Sequence, residues 1–333
     1  MNDFGRLFRI SIFGESHGEA LGVVVDGCPA GLPLSSDDLE PELRRRQGEG
    51  PGVTTRREPD RPDIVSGLFN GKTTGSPLTI IFRNEDVRSG DYAFARDIPR
   101  PGHADMVAAA KSRGFHDPRG GGHFSGRLTL PLVAAGAVAK KLVAPGRIEA
   151  RLIEAGGSAD IEAAVRAAVD SEDSAGGLIE CRVKGLPAGL GEPFFDSAES
   201  LIGHIMFSIP GIKGIEFGSG FACAKMAGSG CNDPIADARG TTATNHAGGI
   251  NGGITNGNEL VFRLAVRPAS SIGKEQASFN LKSGRVERFR VPGRHDACIA
   301  LRAPVIVEAG TAIVLADLML REQVISRTYE VNT

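Results

Sequence analysis

The sequence predicts an α+β fold in which two β-rich halves surround a pair of long core helices. Residues 125–143 and 298–321 are apolar over nearly their whole length, which is typical of buried helices. Three short motifs occur twice, in the same order, which indicates an internal duplication. No linker or low-complexity stretch separates the two copies. We therefore expect a single intertwined domain over residues 1–333, with repeated halves at approximately 1–145 and 146–325.

The hypothesis of duplication depends on the order of the three motifs. Gly-x-Pro-Ala-Gly-Leu begins at Gly27 and again at Gly185, and Gly-x-Thr-x-Gly-x-x-Leu begins at Gly71 and again at Gly253. Pro-Gly-His-Ala-Asp at residues 101–105 resembles Pro-Gly-Arg-His-Asp at 292–296. Each match is weak alone. If the hypothesis holds, the two halves should have the same strand order, and different orders would contradict it.

The individual elements follow from local patterns. Residues 20–26 predict a strand that ends at a Gly-Cys-Pro-Ala-Gly turn. Ser35-Ser36-Asp37-Asp38 predicts the cap of a short helix that runs to Arg46. Residues 78–82 predict a second strand, because β-branched residues occupy its centre. The two long apolar helices complete the set.

Composition argues against several classes of protein. The formal net charge of −2 gives no long-range field for nucleic acid or an anionic membrane. Arg6 and Arg9 interrupt the N-terminal apolar residues, so no secretory signal is predicted, and no apolar run approaches the roughly 18 residues of a membrane span. The cysteines never occur in CxxC spacing, which is typical of reduced thiols in a cytoplasmic protein. The histidines show no ligand spacing, so we predict no metal site.

Basic residues are concentrated where a small anion could bind. Arg44, Arg45 and Arg46 are consecutive, and Arg56 and Arg57 follow closely. In a nearly neutral chain such clusters favour a small anionic ligand over a polyanion. A solvated face at the end of a helix explains them equally well.

Two histidines lie in turns that a ligand could approach. The flanking glycines of Gly14-Glu15-Ser16-His17-Gly18 leave room for a ligand near His17, which could donate a proton near neutral pH. A structural turn histidine is the alternative. His103 follows a Pro-Gly turn, with Asp105 near enough in sequence to orient its ring and Arg100 able to grip a phosphate or carboxylate.

Four further segments could contact a ligand. Residues 119–127 place a glycine run before the first long helix, where backbone N–H groups would suit a phosphate or flavin oxygen. The glycine-dense block 245–257 would fit against a flat cofactor, and residues 267–271 (Arg-Pro-Ala-Ser-Ser) would form an anion cradle. Before the last helix, Asp296 follows a cation and an imidazole, although an N-cap role is the simpler interpretation.

Taken together, these segments resemble the chorismate synthase family over nearly the whole chain. Residues 14–29, from Gly-Glu-Ser-His-Gly to Cys-Pro, are similar to its N-terminal signature. Arg100-Pro-Gly-His-Ala-Asp105 and Ser125-Gly-Arg-x-Thr129 are similar to its two central signatures, and residues 294–308 to its C-terminal one. Four motifs in the family's order make the resemblance highly specific.

The resemblance implies a β-α-β sandwich, with long core helices between antiparallel sheets, that assembles as a homotetramer. It implies a phosphate lyase that requires reduced FMN and makes no net redox change. The implied reaction is the 1,4-anti-elimination of phosphate from 5-enolpyruvylshikimate 3-phosphate, a phosphorylated dicarboxylate. The product would be chorismate, at the last step of the shikimate pathway to the aromatic amino acids. An external flavin reductase or NADPH would reduce the FMN.

The resemblance also implies roles for individual residues. His17 and His103 would be general acids, toward the leaving phosphate and the reduced flavin respectively. Asp296 would take a proton from the flavin as its N5 accepts the substrate hydrogen. The anionic groups of the substrate would be held by Arg46, Arg100 and Arg127. The flavin would be contacted by His123, Phe124, Ser125, Gly252, Arg267, Pro268, Ala269, Ser270, Ser271 and Arg294.

The chain departs from the family pattern at two places. His-Phe-Ser-Gly-Arg at 123–127 stands where Arg-Ser-Ser-Ala-Arg is usual, and the loop after Arg46 lacks the second basic residue that many members carry near Pro51 or Gly52. Arg56 or Arg57 could supply that charge. We expect the activity to survive with altered anion binding.

Two other classes of function stay open. One is a flavin- or phosphate-binding protein without catalysis, against which the presence of His17, His103 and Asp296 argues. The other is an NADPH-dependent flavin oxidoreductase, against which the absence of a dinucleotide fingerprint argues.

Overall fold

Two antiparallel sheets enclose a pair of long helices in the computed structural model, which describes residues 1–48, 50–53, 58–85, 94, 96–293 and 295–329. The first sheet has the order β1-β2-β3-β7-β4, and β5 and β6 form a separate hairpin. The bounds are β1 Asp3–Phe4, β2 Arg9–Gly14, β3 Ala20–Asp26, β4 Asp63–Ser66, β5 Leu68–Phe69, β6 Lys72–Thr73 and β7 Leu78–Arg83.

The second sheet has the order β10-β13-β9-β8, accompanied by the hairpins β11-β12 and β14-β15. The bounds are β8 Arg147–Ala155, β9 Gly177–Lys184, β10 Ile212–Phe217, β11 Ile250–Asn251, β12 Ile254–Thr255, β13 Leu260–Val266, β14 Gln276–Asn280 and β15 Arg285–Phe289. The helices are α1 Glu40–Gln47, α2 Asp105–Ser112, α3 Thr129–Val143, α4 Ile161–Asp170, α5 Ala198–Ser208, α6 Gly228–Cys231 and α7 Ala303–Arg321.

The core is a helix pair between the two sheets. Helix α3 packs on β2, β3 and β7, helix α7 packs on β8 and β9, and the two helices pack against each other. Thirteen of the fifteen residues of α3 and sixteen of the nineteen of α7 are buried, which explains why both are apolar all round. The predicted α+β class, with core helices between antiparallel sheets, is therefore confirmed.

Three predicted boundaries differ from the observed ones. Short 3₁₀ turns at 126–128 and 299–301 precede α3 and α7, so both helices begin about four residues later than predicted. Ser35 and Asp38 form a capping box at the start of another 3₁₀ turn, at 36–38. Helix α1 begins after this turn, with Pro41 in its first turn. Proline is favoured there because first-turn N–H groups have no partner within the helix.

The two halves share a strand order and a pair of hydrogen bonds made by a threonine side chain. When β2, β3, β7 and β4 are matched to β8, β9, β13 and β10, the order is the same in both sheets. Thr73 Oγ1 donates to the Pro29 carbonyl (2.6 Å) and accepts from the Leu32 N–H (3.0 Å). The second half repeats both bonds, at 2.8 and 2.9 Å, with Thr255, Pro187 and Leu190. An internal duplication with repeated halves is the interpretation we propose for this correspondence.

Helix α7 is the one helix in the described part of the chain that is long and apolar enough to cross a membrane. Within the fold, 94% of its most apolar window is buried. It is therefore accounted for as the core helix of this domain.

Candidate active site

A cavity of about 1050 Å³ lies where both core helices begin. Thr129 and Leu132 of α3 and Ala303 and Ile306 of α7 line it, so the N-terminal ends of two long helices meet at the same place. Unpaired N–H groups and the helix dipole make each of these ends favourable for an anion. The volume lies at the upper end of the ~300–1,000 Å³ typical of small-molecule sites.

Arg46 reaches this cavity from α1. Its Nε donates to Thr129 Oγ1 (2.9 Å) and its Nη2 to the Gly126 carbonyl (3.1 Å), so it braces the start of α3. Burial lowers the pKa of Arg46 to about 10, with Asp60 opposing the shift and Arg127 adding to it. Arg46 therefore keeps its charge at neutral pH, inside a cluster of like charges.

Arg127 lies beside Arg46, and one of its hydrogen-bond donors has no acceptor among the described residues. Its Nε donates to Asn84 Oδ1 (2.7 Å) and its Nη1 to Asp60 Oδ1 (2.8 Å), while Glu58 lies 3.8 Å from Nη2. Nη2 is buried and has no hydrogen-bond partner among the described residues. A buried donor without a partner is costly, so this atom favours an anionic ligand in the cavity.

The three consecutive arginines have three different surroundings. Arg44 is largely exposed, with its nearest described ion pair to Glu40 at 3.9 Å. Arg45 pairs with the buried Glu308 at 2.7 Å, and Arg46 lines the cavity. Successive helical residues point about 100° apart, so only one of the three could face the site. Both interpretations of this cluster, anion site and solvated face, therefore apply to different members.

His17 is held in a tight turn at the end of β2. Asn84 Nδ2 donates to the carbonyls of Glu15 (3.2 Å) and Gly18 (2.8 Å), and the Ser16 N–H donates to the Gly122 carbonyl (3.1 Å). His17 is almost fully buried in the protein and lines the cavity. The turn therefore fixes an imidazole at the ligand site, and the Asn84 clamp was not predicted.

His103 is oriented by a carboxylate. Its Nδ1 lies 2.6 Å from Asp105 Oδ1, and Arg100 grips both oxygens of Asp105 at 2.8 and 2.7 Å. Burial alone would raise the pKa of Asp105, but the hydrogen bonds from Arg100 and His103 outweigh it and hold that pKa well below its ordinary value. The ionised carboxylate therefore fixes the orientation of the ring, and Arg100 Nη2 also lies 2.9 Å from the same Nδ1.

Arg100 was predicted to bind the substrate, but it does not line the cavity. It is buried behind His103, and its planar fork is taken by Asp105 instead of by a ligand. The bidentate geometry expected from the sequence is present, but its partner belongs to the protein.

The glycine run 120–122 lies close to both histidines of the site. Gly120 has a φ of +58°, and a Cβ there would lie 2.4 Å from the ring of His17. A Cβ on Gly121 would be in ordinary contact with the ring of His103, at 3.4 Å. The ring of His17 therefore excludes a side chain at Gly120, and the φ of +81° favours glycine at Gly121.

The segment 267–271 lines the cavity over its whole length, as predicted. Arg267 Nη1 and Ser270 Oγ both donate to the Gly102 carbonyl, the latter at 2.9 Å. Ser271 Oγ accepts from Arg100 at 3.1 Å. The segment therefore braces the turn that carries His103 while forming one wall of the cavity.

Asp296 also lines the cavity, and its partner is Arg302 at 3.0 Å. The N-cap interpretation of Asp296 is wrong, because Cys298 is the N-cap of the 3₁₀ turn before α7. Arg302 itself lines the cavity and was not predicted. A charged residue at the start of an otherwise apolar helix was the signal that could have identified it.

The predicted flavin contacts fall into three groups. His123, Phe124 and Ser125 line the cavity, with His123 Nδ1 2.8 Å from the Gly14 carbonyl. Gly252 does not line it, because it forms the turn of the β11-β12 hairpin, where its φ of +60° requires glycine. Arg294 lies outside the described residues.

Two glycines of the glycine-dense block pack closely against the protein's own backbone. A Cβ on Gly248 would lie 2.4 Å from the Gly218 nitrogen, and one on Gly249 would lie 2.5 Å from the Glu259 carbonyl oxygen. Both also have positive φ. Close backbone packing at these positions therefore accounts for these glycines.

The loop after α1 has no room for a second basic residue at position 52. Gly52 has a φ of +84°, and a Cβ there would lie 2.4 Å from Val165 of α4. Arg56 and Arg57, suggested as substitutes, lie outside the described residues. Among the described cavity residues, Arg302 is the further cation near this loop, because its Cγ would lie 3.2 Å from a Cβ on Gly48.

Two helix N-termini, several arginines and two histidines thus meet at one cavity, an arrangement typical of an enzyme site. Comparison with known proteins identifies the family. The sequence model of the family described as "Chorismate synthase" matches residues 8–320. A chorismate synthase from Chitinophaga pinensis is 60% identical over 99% of this chain and 100% of its own, and one from Opitutus terrae is 45% identical over 99% of each. A crystal structure of a chorismate synthase, 27% identical, matches with a TM-score of 0.72 over 96% of this chain and 93% of its own.

The chain belongs to the chorismate synthase family. Members of this family are lyases of aromatic biosynthesis. The resemblance inferred from the four sequence motifs is thereby confirmed.

Proposed function

We propose that the protein eliminates phosphate from 5-enolpyruvylshikimate 3-phosphate in a 1,4-anti sense to form chorismate, with reduced FMN as an obligatory cofactor and no net redox change. The observation that carries this proposal is the convergence on one cavity of two helix N-termini, two histidines and a buried arginine N–H that no described residue accepts as a hydrogen bond. A phosphorylated dicarboxylate and a flavin phosphate both match this positive field.

Arg46 and Arg127 bind the anionic groups of the substrate in this proposal, and Arg302 joins them. Arg127 Nη2 supplies a buried donor that has no hydrogen-bond partner among the described residues. The leaving phosphate gains negative charge as its C–O bond breaks, and preorganised cations and helix dipoles stabilise that charge most strongly in a water-poor cavity. Arg100, assigned to substrate by resemblance, acts instead through His103.

The two histidines divide the proton chemistry. His17 donates toward the leaving phosphate, which makes it a better leaving group. His103, oriented by Asp105, would be the proton donor toward the reduced flavin. Asp296 accepts a proton on its carboxylate, and Arg302 holds that carboxylate in place at 3.0 Å.

The residues of the cavity fit FMN. Segments 123–125 and 267–271 offer hydroxyls and an aromatic ring, and apolar residues such as Ile12, Leu132 and Val266 offer a surface for a flat ring. Bound in reduced form, FMN supplies electron density to the substrate as phosphate leaves. An external flavin reductase or NADPH keeps it reduced, and we infer a cytoplasmic homotetramer from the family.

An anaerobic assay tests this function directly. The protein is mixed with photoreduced FMN and 5-enolpyruvylshikimate 3-phosphate, and chorismate absorbance and phosphate release are followed together. We expect equal amounts of both products, many turnovers per flavin and none when the flavin is left oxidised. Folded, FMN-loaded protein that releases no phosphate would refute the proposal.

A further inference from the structure

Two cysteine thiols that no sequence motif predicts to be neighbours are in contact in the structure. Cys231 Sγ donates to Cys223 Sγ at 3.6 Å, and both side chains are partly exposed. The remaining cysteines of the chain, Cys28, Cys181 and Cys298, are buried. Residues eight apart give no CxxC signal, so only the fold reveals the contact.

The local structure holds the pair together. Cys223 lies in the 3₁₀ turn Gly220–Lys225, and Cys231 ends the short helix α6. The Phe221 N–H donates to Glu216 Oε2 (3.1 Å), which ties the first turn to the end of β10. The Met226 N–H donates to the Cys223 carbonyl (3.0 Å), which turns the chain back toward α6.

The pair differs from the buried cysteines in reactivity. Burial raises the pKa of Cys28 to about 12 and also raises that of Cys181, so neither forms a thiolate readily. The hydrogen bond to Cys223 raises the pKa of Cys231. We take Cys223, which accepts that hydrogen bond, as the attacking sulfur, since the thiolate is the nucleophile.

We propose that Cys223 and Cys231 form a redox-modifiable dithiol site that closes to an intramolecular disulfide in exchange with a low-molecular-weight disulfide. The Cys223 thiolate attacks one sulfur of the small disulfide, forms a mixed disulfide and releases one small thiolate, which takes up a proton. Cys231 then loses its proton to solvent, attacks Cys223 Sγ and releases the second small thiolate. Two protein thiols are oxidised, and one small disulfide is reduced to two thiols.

The distance requires little rearrangement. A disulfide bond is ~2.05 Å long, so the sulfurs need to approach by roughly 1.5 Å, which side-chain rotation in two surface turns can provide. Residues 214–265, all within the described part of the chain, contribute nothing to the lining of the cavity. The disulfide should therefore restrain the 220–231 segment and leave catalysis unchanged.

Tryptic mapping tests the proposal, because Lys225 lies between the two cysteines. Native full-length protein is equilibrated with oxidised glutathione, free thiols are alkylated under denaturing conditions, and the digest is examined by mass spectrometry with and without reduction. We expect peptides 214–225 and 226–239 to be joined in the oxidised sample and separated by reduction. Cys28, Cys181 and Cys298 should be recovered alkylated.

The matched variant Cys231→Ser separates the two steps. The variant should accumulate a mixed disulfide between Cys223 and glutathione. In the wild-type chain, the internal disulfide should be at least about tenfold more abundant than this mixed disulfide. A wild-type chain that stops at the mixed disulfide, stays reduced or forms covalent dimers on a non-reducing gel would overturn the proposal. None of these outcomes depends on the function proposed above.

Discussion

At the scale of single residues, the site depends on side chains that are held by other side chains. His103 is fixed by Asp105, which is fixed by Arg100, and His17 is fixed by a turn that Asn84 clamps. Each arrangement places an imidazole at the cavity with few alternative positions. This explains why one predicted ligand-binding arginine, Arg100, is used to organise the site instead.

Replacement of His103 by alanine tests its role as a proton donor. We expect turnover to fall by roughly 10²–10⁴-fold, because a positioned general acid contributes that much. The matched control is His116→Ala, since His116 bonds to Ser112 and lies outside the cavity. Single-turnover rates of both variants under anaerobic conditions provide the measurement. A near-normal rate for His103→Ala would reduce His103 to a structural residue.

The site residues that the sequence revealed are those in unusual local motifs. His17 and the segment 267–271 stood out because glycine or hydroxyl residues surround them. Asp60 and Asn84 did not, because they acquire their role only when folding brings them to Arg127, 67 and 43 residues away. No local pattern encodes such a contact.

At the scale of elements, the packing of α3 on α7 sets the position of the cavity. Gly136 allows the two helices to approach closely, since a Cβ there would lie 2.3 Å from the Cβ of Ala309 and 2.4 Å from its Cα. Both helices therefore begin side by side, and their N-terminal ends meet at the same cavity.

Gly136→Ala should destabilise the protein although alanine is the better helix former. Overpacking against the Ala309 backbone costs about 1–3 kcal/mol, which outweighs the gain in helix propensity. Gly203→Ala in α5 is the matched control, because a Cβ there meets nothing within 4 Å and should stabilise by about 0.5–1 kcal/mol. Urea unfolding of both variants decides the point, and equal effects would contradict the close approach.

A buried carboxylate joins α7 to α1, α3 and β8. Glu308 accepts from Arg45 (2.7 and 2.8 Å), from Lys140 (2.6 Å) and from the Ala150 N–H (3.0 Å). Burial alone would raise the pKa of Glu308, but these donors outweigh it and lower that pKa from its ordinary value of 4.5. The network fixes Arg45 and thereby the neighbouring Arg46 at the cavity.

Glu308→Gln should remove a pH-dependent part of the stability. Because the folded pKa of Glu308 is lowered, its contribution is fully present above about pH 4.5 and is lost as the pH falls through the folded value. At pH 7 we expect a loss of about 2–3 kcal/mol, less than for a fully buried pair because Arg45 is half exposed. Unfolding measured from pH 7 to pH 3 should show the two proteins converging in acid. A constant difference would contradict this role.

Most of the elements that the sequence predicted have a strong apolar or β-branched pattern, and the short helix α1 was predicted from its cap instead. The two core helices and the central strands of the first sheet are apolar throughout or centred on β-branched residues. The two-residue strands of the hairpins are too short to show the alternation of polar and apolar residues that predicts a strand. Strand β8 alternates polar and apolar residues over 147–152, so its signal was present and was missed.

At the scale of the whole molecule, the internal duplication that we propose would account for the paired features of the site. Each half supplies a core helix, a Pro-Gly turn near the cavity and the same pair of threonine hydrogen bonds. The turn of the first half is followed by His103 and that of the second by Asp296, and both residues line the cavity. In the alignment of the two motifs Asp296 corresponds to Asp105, which orients His103, so the two repeats would use one carboxylate position in two ways.

The most direct test of this account is a crystal structure of the protein with oxidised FMN and 5-enolpyruvylshikimate 3-phosphate. The account predicts both molecules in the cavity at the start of α3 and α7, with an anionic group of the substrate bonded to Arg127 Nη2 and the flavin beside segments 123–125 and 267–271. Ligands bound elsewhere, or a substrate that leaves Arg127 Nη2 without a partner, would contradict it.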